Sequence, residues 1–484
     1  MSSISSQPEP ALDFPLPPHL MPCRSTALLV SCSFSQDFPQ GPLRLAEVSG
    51  GSAEEFLALG PFLRVSQGSQ EARAYLTIVL ATAAGPAPLT LHFAGETSSG
   101  STARVSLPPI PTTPFPDLTG RLPQRHPNDE ICICMATYDP DLELFRRQLE
   151  SIARQSYDRW FCIISDDSSP PRVLEAMRTV IAGDNRFALL TSDQRRGFYR
   201  NFERALFCVP PTHSYVALAD QDDVWHPDKL AVLASTLEST DAVLCYSDQR
   251  ITSRSGTVLS GTLWRGRRNE YRRFRSIVCA NTITGASTLF KRELLDILLP
   301  FPETPGFQFH DHWLAVCAVS SGQVAYVDRP LYDYVQHEGA VLGHLREQRG
   351  TTWAHLLRRV GDRGHEHRLA HLYFAYLPAI LRVLTVRSRL GDALEMSVFK
   401  DIEELLALHR SPTTRLRYRL LGLASRLFKS APLGTEGSLA LGAGALASLA
   451  SGRTRGNLRA DVPSLSAFEQ PHLRRWRAGL TGNR

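Results

Sequence analysis

Carboxylate side chains follow the apolar runs in the central part of the chain. Asp166 and Asp167 come directly after WFCIIS, and Asp220, Asp222 and Asp223 come directly after YVALA. If these runs are parallel strands, their carboxyl ends meet at one sheet edge, which is where α/β proteins bind ligands. Acidic groups gathered there repel one another unless a positive charge lies among them. A divalent cation that also binds a diphosphate would supply that charge, so metal-assisted chemistry on a phosphorylated substrate is the expectation.

Two further strand ends carry polar residues that suit the same site. Thr137, Tyr138 and Asp139 follow ICICMA, and a polar stretch that reaches Arg195 and Arg196 follows RFALLT. The chain has neither a G-x-G-x-x-G turn after the first strand nor a G-x-x-x-x-G-K-[ST] loop. A backbone loop that cradles phosphates is therefore not expected, and the acidic positions are the predicted route to phosphate binding.

The elements that must position these residues are predicted from periodicity. Five apolar runs between residues 130 and 250 alternate with helical patterns, which indicates a parallel sheet flanked by helices. In the first helix, Asp139 is the expected N-cap and Pro140 the first helical residue. Its predicted buried stripe consists of Leu142, Phe145, Leu149 and Ile152.

Composition divides the chain into six segments. Short apolar runs separated by Gly, Pro and Ser indicate a small all-β unit near the start, and a segment with seven prolines predicts a stiff linker after it. The predicted segments are a disordered lead-in (1–22), a β-rich, sandwich-like accessory domain (23–107), a Pro-rich linker (108–128), the central domain (129–343), a helical region (344–430) and a basic low-complexity tail (431–484).

Charge and cysteine usage narrow the class of protein. From residue 341 onward 23 basic residues face 11 acidic ones, a net of +12, while the first 340 residues carry 30 against 37, a net of −7. A basic tail can serve an anionic membrane surface, a nucleic acid or solubility alone. Nine cysteines without a C-x-x-C pair argue against a disulfide framework and a zinc cluster. No run of 18 uncharged apolar residues and no secretory signal pattern occur, so a cytoplasmic protein is expected.

Four motifs in order resemble the family-2 glycosyltransferases of the GT-A fold. The strings ICICMATYDP, IISDDSS, LADQDDVWHPDKL and FHDHWLA carry the resemblance, and ADQDDVWHPDKL is most similar to the bacterial rhamnosyltransferase branch. It covers residues 130–340, under half of the chain. The implied fold is α/β: a GT-A, Rossmann-like central domain between an N-terminal β-rich, sandwich-like domain and a C-terminal helical region.

The resemblance implies a site for a nucleotide-sugar donor at the strand ends. Asp222 would bind Mg²⁺ or Mn²⁺, and His337 matches a position that can help to hold the metal or phosphate. The other donor-side residues implied are Thr137 and Tyr138 at the base, Asp167 on the base ring N–H, Asp220 at the ribose, and Arg196 with Gly197 to Asn201 at the phosphates.

The same resemblance implies an acceptor side and a catalytic base. Asp311 matches the base, while Asn281, Gly285 and Ala286 match the segment that shapes the acceptor side. Trp313, next to the base, would stack on a sugar or fill the core. Val335 stands where the branch often has arginine, so Arg329 or an arginine of the C-terminal helices would have to supply that phosphate contact.

The expected activity is transfer of a sugar to a cell-surface glycan or a lipid-linked acceptor. One base and no second carboxylate in the place of a nucleophile favour direct displacement with inversion. The donor can be dTDP-L-rhamnose or another sugar nucleotide, since the acidic motif constrains the metal site and leaves the sugar open.

A non-catalytic scaffold whose basic tail binds a membrane or nucleic acid is the alternative. Retention of the acidic motif positions argues against it, and no nucleic-acid partner is expected. The basic C-terminal region can also place the enzyme peripherally on the inner face of the cytoplasmic membrane.

Overall fold

The structure is a computed structural model. It describes residues 25–34, 44–50, 53–65, 72–82, 88–96, 100–110, 130–264, 269–279, 281–302, 309–336, 382–383, 385–386, 389–390 and 393–402. The predicted lead-in at 1–22, the tail at 431–484, most of the linker at 108–128 and the candidate ligand His337 lie outside these residues.

The N-terminal part is built from two antiparallel three-stranded sheets. Their orders are β1-β4-β3 and β2-β5-β6. In β5, Leu91 and Phe93 are buried and alternate with half-buried neighbours, as one covered sheet face requires. The β-rich class predicted for this region is confirmed. The strands are β1 (Ser25–Phe34), β2 (Arg44–Ser49), β3 (Ala53–Val65), β4 (Ala72–Thr82), β5 (Thr90–Glu96) and β6 (Thr102–Ser106).

The central domain contains a mixed sheet in the order β11-β15-β12-β14-β10-β7-β8-β9, with β13 paired to β12. The five strands predicted from the sequence (β7, β8, β9, β10 and β12) share one direction. The short strand β14, which periodicity did not reveal, lies antiparallel between β10 and β12. The strands are β7 (Ile131–Thr137), β8 (Trp160–Asp166), β9 (Phe187–Leu190), β10 (Tyr215–Ala219), β11 (Val224–Trp225), β12 (Ala242–Ser253), β13 (Val258–Ser260), β14 (Thr288–Lys291) and β15 (Gln323–Gln336).

The strand order reverses beside β7, and this creates the crevice where a ligand is expected. From β7 the chain continues outward to β8 and β9, then returns to place β10 on the other side of β7. The carboxyl ends of β7 and β10 therefore diverge from a common switch point. The helices are α1 (Leu142–Ala153), α2 (Pro171–Ile181), α3 (Phe198–Phe207), α4 (Lys229–Ser239), α5 (Phe274–Cys279), α6 (Leu295–Leu298) and α7 (His310–Ser321), with 3₁₀ turns at Gly285–Ser287 and Arg292–Leu294.

Helix α1 begins two residues later than the sequence analysis expected. Its N-cap is Asp141, whose side chain accepts hydrogen bonds from the N–H groups of Glu143 and Leu144 at 3.0 and 3.2 Å. The predicted cap Asp139 instead has a positive φ of 40° and donates its N–H to the Ser169 hydroxyl at 2.8 Å. That loop conformation delays the helix, since the N-cap must have an extended backbone.

Strand β8 shows how the sheet is buried. Trp160, Cys162 and Ile164 pack in one hydrophobic cluster, whereas Phe161 and Ile163 pack in the cluster on the opposite face. Alternation with both faces covered is typical of a strand in the middle of an α/β sheet.

The helical residues between 382 and 402 belong to the same core as the central sheet. Their buried side chains recur at helical spacing of three and four residues. They join the cluster that contains Phe161 and Trp313, and they are Val383, Val386, Leu390, Leu394, Val398 and Ile402. Arg275 of α5 also forms an ion pair with Asp401 at 2.6 Å. The central fold therefore draws part of its core from beyond residue 343.

Candidate active site

The acidic turn after β8 is closed by its own hydrogen bonds. Asp166 accepts from the Thr137 hydroxyl at 3.0 Å, from the Ser169 N–H at 2.8 Å and from the Ser169 hydroxyl at 2.5 Å. Both carboxylate oxygens of this buried residue are thus satisfied. Asp166 and Thr137 hold the ends of β7 and β8 together, and this is a structural role for half of the predicted acidic pair.

Asp167 holds the start of α3. Its two oxygens accept the N–H groups of Arg196 and Gly197 at 2.8 and 2.7 Å, and its side chain is buried. Gly197 has a φ of 82°, a conformation that glycine adopts without strain. Asp167 was predicted to accept from a nucleotide base. In this structure it fixes the loop that carries Arg196, whose side chain is exposed.

Asn201 and Arg204 of α3 form hydrogen bonds that connect the ends of β7, β8 and β9. The Asn201 side chain donates to the carbonyls of Thr137 and Ser165 at 3.1 and 2.7 Å and accepts from the Ser165 hydroxyl at 2.6 Å. The buried Arg204 guanidinium donates to the Ser165 hydroxyl and to the carbonyls of residues 166, 190 and 191. Asn201, predicted to face the phosphates, therefore points into the sheet. Arg204 was not identified from the sequence.

An exposed aromatic face lies at the switch point. The Tyr138 backbone is held by the Gln221 side chain, which accepts from its N–H at 2.9 Å and donates to its carbonyl at 3.4 Å. This bridge joins the end of β7 to the acidic loop after β10. The Tyr138 ring is 38% exposed, and the Arg195 guanidinium lies 3.7 Å from its centroid. A flat, accessible ring at this position can stack on a base.

The carboxylates of the acidic loop after β10 repel one another, unlike those of Asp166 and Asp167, which accept hydrogen bonds. Burial and the charges of Asp222 and Asp311 raise the pKa of Asp220 to about 7. Burial and the charges of Asp220 and Asp222 also raise the pKa of Asp223 well above its usual value. The charges of Asp222, on the same loop, and of Asp311, on α7, thus both disfavour the ionised form of Asp220.

Asp223, the last acid of this loop, is buried rather than solvated. It is fully buried, accepts the Val335 N–H at 3.3 Å through Oδ1, and its Oδ2 has no hydrogen-bond partner among the described residues. The nearby ammonium of Lys229 lowers the pKa of Asp223 and of Asp220, against the effect of burial. Asp228 is the N-cap of α4 and pairs with Arg329 at 2.6 Å.

Lys229 is the main functional candidate that the sequence analysis missed. It is fully buried and donates to the Ala286 carbonyl at 2.5 Å. Its position was readable from periodicity, because it shares the buried face of α4 with Leu233 and Leu237 at spacings of four and eight residues. Burial lowers the pKa of the Lys229 ammonium, and the charges of Asp223 and Asp220 oppose that change.

Asp311, the predicted base, lies in the first turn of α7 and is half-buried. Burial raises its pKa to about 6, while hydrogen bonds from the backbone of His312 and Gly285 and from the Asn281 side chain limit the rise. The charge of Arg382 acts in the same direction as these hydrogen bonds. The predicted acceptor-side residues Asn281 and Gly285 are thus in contact with the candidate base. Arg382 brings a charge from the C-terminal helical segment toward it.

Gly285 is required by the close approach of α7. A Cβ at this position would lie 2.7 Å from His310 Nε2 and 3.4 Å from the Cβ of Asp311. The His310 ring stacks on Phe202 at 3.7 Å, and burial lowers its pKa to about 3, so the imidazole is neutral at physiological pH. His310 packs the base into place and carries no charge of its own.

Trp313 does not line the acceptor side, and that prediction is corrected. Its side chain is 1% exposed and its indole N–H donates to the Leu298 carbonyl at 2.8 Å, with the Arg389 guanidinium 5.6 Å from the ring. A ring this deep in the core cannot stack on a sugar. His312 is likewise held internally, with Nε2 2.6 Å from the Ile277 carbonyl oxygen.

The acidic loop fits a divalent cation only in partnership with a phosphate. Among the described residues no group of three or more His, Cys, Asp or Glu side chains is arranged to hold a metal. Asp220 and Asp222 nevertheless repel each other, and Asp223 has an oxygen with no hydrogen-bond partner in the described part of the chain. Mg²⁺ is usually bound through one or two carboxylates with substrate phosphates and water as the other ligands. The donor set therefore suits a cation completed by a diphosphate.

Residues 132–298 match the family Glycosyl transferase family 2. An uncharacterised protein of Sinorhizobium fredii, y4gI, is 28% identical over 129 residues, or 26% of this chain and 14% of its own. The bifunctional glycosyltransferase pgtA of Dictyostelium discoideum is 29% identical over 97 residues, or 20% of this chain and 13% of its own. The chain thus spans about a seventh of the length of these curated relatives. The part of the mixed α/β central domain that carries the four motifs is thus similar to glycosyltransferases of family 2, as the motifs predicted.

Solved glycosyltransferase structures share a weaker likeness. TarS residues 1–349 from S. aureus, in complex with UDP-GlcNAc, is 14% identical with a TM-score of 0.37, covering 58% of this chain and 91% of that one. The mannosyltransferase PcManGT from Pyrobaculum calidifontis, in complex with GDP-Man and Mn²⁺, is 19% identical with a TM-score of 0.35, covering 67% and 88%. Among the described residues, no helix is both long and apolar enough to cross a membrane.

Proposed function

We propose that this protein is an inverting glycosyltransferase that moves a sugar from a nucleotide donor to the hydroxyl of a glycan or lipid-linked acceptor. One observation carries the proposal: the charges of Asp222, on the loop after β10, and Asp311, on α7, both act on Asp220 at the switch point of the sheet. Asp220 and Asp222 lie within the residues that match glycosyl transferase family 2, and Asp311 follows them in the chain. The site combines acids that suit a cation and diphosphate with one carboxylate suited to accept a proton.

The donor nucleotide would lie along the divergent ends of β7 and β10. Tyr138 offers an accessible ring for the base, and its backbone is fixed by Gln221. Asp167 holds the loop that presents Arg196 toward solvent, where an arginine can contact phosphate oxygens. Asp220 stays the candidate for the ribose. These residues position the donor before the acceptor arrives.

Asp311 would accept the proton of the acceptor hydroxyl as that oxygen attacks the sugar. A pKa of about 6 leaves the carboxylate mostly ionised at neutral pH yet basic enough to take the proton. Its hydrogen bonds to the backbone of His312 and Gly285 orient it. Attack by the acceptor oxygen on one face of the sugar, with departure of the diphosphate from the other face, would invert the anomeric centre.

Asp222 is the residue that would hold Mg²⁺ or Mn²⁺, with His337 as a further candidate ligand. Such a cation, when bound, stabilises the charge that grows on the leaving diphosphate. The chain's own contribution is to gather the carboxylates and to keep Asp223 and Lys229 buried behind them. The donor is proposed to be dTDP-L-rhamnose, on the resemblance of the acidic motif, with other sugar nucleotides as the competing choice.

The test is a panel of UDP-GlcNAc, GDP-mannose and dTDP-L-rhamnose, each incubated with the full chain with and without Mn²⁺. We expect one donor to release its nucleoside diphosphate in a metal-dependent reaction and the same diphosphate to raise the melting temperature only with Mn²⁺. Proton NMR of the transferred product would reveal an inverted anomeric configuration. If no donor were consumed and no nucleoside diphosphate bound, the proposal would be wrong.

The basic C-terminal region is proposed to bring the enzyme to an anionic membrane surface, where lipid-linked acceptors lie. Residues 403–484 carry 13 basic and 5 acidic residues, a net of +8. Each basic residue near such a surface contributes about 1 kcal/mol. Because buried side chains up to Ile402 belong to the core, the informative truncation ends at Ile402. Sedimentation with phosphatidylserine vesicles should be lost in that variant, and unchanged sedimentation would contradict the idea.

A further inference from the structure

The Lys229 side chain is buried among a backbone carbonyl group and two aromatic rings. It is 0% exposed. Its Nζ lies 2.5 Å from the Ala286 carbonyl oxygen, 3.3 Å from the Trp225 ring centroid and 5.1 Å from that of Tyr332. An ammonium group has three N–H donors and is costly to remove from water unless each finds a partner. A carbonyl, two aromatic faces and nearby carboxylates provide those partners.

On one side, Lys229 faces the acidic loop. Its positive charge acts on the carboxylates of Asp220 and Asp223 and favours their ionised forms. Asp223 is in turn connected to β15 through the Val335 N–H, at 3.3 Å from Oδ1. The ammonium is thus the internal counter-charge of a buried acid that lies beside the candidate metal ligand Asp222.

On the other side, Lys229 donates a hydrogen bond to the turn that contacts Asp311. Ala286 belongs to the 3₁₀ turn Gly285–Ser287, and Gly285 donates a backbone hydrogen bond to Asp311. The turn also approaches α7 so closely that a Cβ on Gly285 would meet His310 at 2.7 Å. A displacement of the turn would therefore be transmitted to the residue proposed to accept the proton.

We propose that Lys229 is a positioning residue that couples the carboxylate loop after β10 to the Gly285–Ser287 turn and so sets where Asp311 lies relative to the donor site. This inference rests on the proposed function, since it gives Asp311 and the acidic loop the roles stated above. Lys229 touches neither substrate nor metal in this role. It works through the Ala286 carbonyl on one side and the buried acids on the other.

A purely packing role would not need a lysine. An apolar side chain of the same length would fill the space between Trp225 and Tyr332 without the cost of burying a charge. The charge is useful only if its partners must be held in a fixed relation. A variant without the charge is therefore expected to bind nucleotide yet fail to align the reacting groups.

The experiment compares Lys229→Met, the double variant Asp223→Asn with Lys229→Met, and Lys400→Met as a control on an exposed lysine. The double variant removes both buried charges but keeps an acceptor for the Val335 N–H. The probe is whichever of UDP, GDP or dTDP, with MnCl₂, most stabilises the wild-type chain. Calorimetry gives its dissociation constant and the fraction of sites that bind. Turnover of the matching sugar nucleotide is then expressed per binding site.

We expect Lys229→Met to bind the nucleotide within about threefold of wild type while turnover per binding site falls by about tenfold or more, since a misplaced reacting group costs on that order. The double variant should be more stable than Lys229→Met yet equally slow, and Lys400→Met should match wild type. Expressing turnover per binding site removes the effect of a merely unstable fold.

Turnover per binding site within about twofold of wild type in either Lys229 variant would overturn the positioning role, because alignment would then be intact. If Lys229→Met did not fold, the double variant would decide by the same criterion. A wild-type chain that bound no nucleoside diphosphate and consumed no sugar nucleotide would instead overturn the proposed function, and this inference with it.

Discussion

The ends of β8 and β10 both carry aspartates, but the two pairs of carboxylates have different surroundings. After β8, the carboxylate oxygens of Asp166 and Asp167 accept five hydrogen bonds from nearby hydroxyls and backbone N–H groups. After β10, the carboxylates of Asp220 and Asp223 face other carboxylates, and burial with mutual repulsion raises their pKa values. The carboxylates of the first end are satisfied by hydrogen bonds, whereas those of the second end repel one another.

The difference separates scaffold from chemistry. A carboxylate with its hydrogen bonds filled by backbone groups stabilises the loop that donates them. Carboxylates left to repel one another lower stability, and such a cost persists where it serves a ligand. The end of β8 thus holds the loop that leads into α3, and the end of β10, with Asp311, is the place to which the proposed function assigns binding and reaction.

The largest effect is expected from Asp311→Asn. The amide cannot accept a proton, so transfer should fall by at least about 10²-fold while nucleotide binding stays nearly unchanged. Turnover and nucleotide calorimetry on the same preparation measure both. Asp184→Asn, which removes a charge paired with Arg186 away from the site, is the matched control and should keep full activity. More than about a tenth of wild-type turnover in Asp311→Asn would remove Asp311 from the role of base.

The second prediction concerns pH. Because burial raises the pKa of Asp311 to about 6 and the base must be ionised, kcat/KM should rise with pH through about 6 and level off above it. Below that value the expected fall is about tenfold per pH unit. A profile measured from about pH 5 to about pH 8 under saturating Mn²⁺ tests this. A flat profile across pH 6 would contradict an ionised Asp311 in the reaction.

A smaller effect is expected from Gly285→Ala. The new Cβ would meet His310 at 2.7 Å and the Asp311 Cβ at 3.4 Å, so the first turn of α7 must shift. Turnover should fall by about tenfold with little change in nucleotide affinity, since displacement of a catalytic group by a fraction of an ångström is enough. Gly261→Ala, where the Cβ would meet nothing within 4 Å, is the control. Equal activity of the two variants would show that α7 adjusts without moving Asp311.

The smallest expected effects are on stability, and they have opposite signs at the two strand ends. Asp167→Asn loses charge-assisted bonds to the N–H groups of Arg196 and Gly197, at a cost of about 2–3 kcal/mol. The folded-state pKa of Asp220, about 7, is above its unfolded value of 3.8, so the ligand-free fold is most stable below that range and loses stability as pH rises through about 7.

Asp220→Asn removes the group that ionises and should therefore stabilise the ligand-free protein at about pH 8, by about 1 kcal/mol after allowance for screening by water. Differential scanning calorimetry of both variants without nucleotide or metal measures the pair, at about 2–4 °C per kcal/mol. If the melting temperatures of the two variants shifted in the same direction, the proposed difference between the ends of β8 and β10 would be wrong.

Much of the central domain could be predicted from the chain alone. The five apolar runs became β7, β8, β9, β10 and β12, because continuous apolar segments of this length are buried on both faces. The short strand β14 could not be predicted, since four residues carry too little periodicity. The start of α1 was also missed. Asp139 and Asp141 are equally good N-caps by residue type, and only the positive φ of Asp139 excludes it from that role.

The candidate site divides in the same way. Asp220, Asp222 and Asp311 were identified by their place after strands and in motifs, and the structure brings them together. Trp313 was misjudged because proximity along the chain to Asp311 says nothing about which face of α7 a side chain occupies. Asp167 and Asn201 were assigned to the nucleotide because a motif does not reveal that backbone groups already occupy a side chain's hydrogen-bonding capacity.

By itself the sequence determined the alternation of strands and helices, the acidic strand ends and the resemblance of the central domain to glycosyltransferases, since these depend on local periodicity and short motifs. Only the tertiary structure decided which acids are satisfied, that Lys229 lies buried between the acidic loop and the Ala286 carbonyl, and that the described residues between 382 and 402 add to the core. The reason is physical: hydrogen-bond satisfaction and charge compensation are made between residues far apart in the chain, and no local pattern records them.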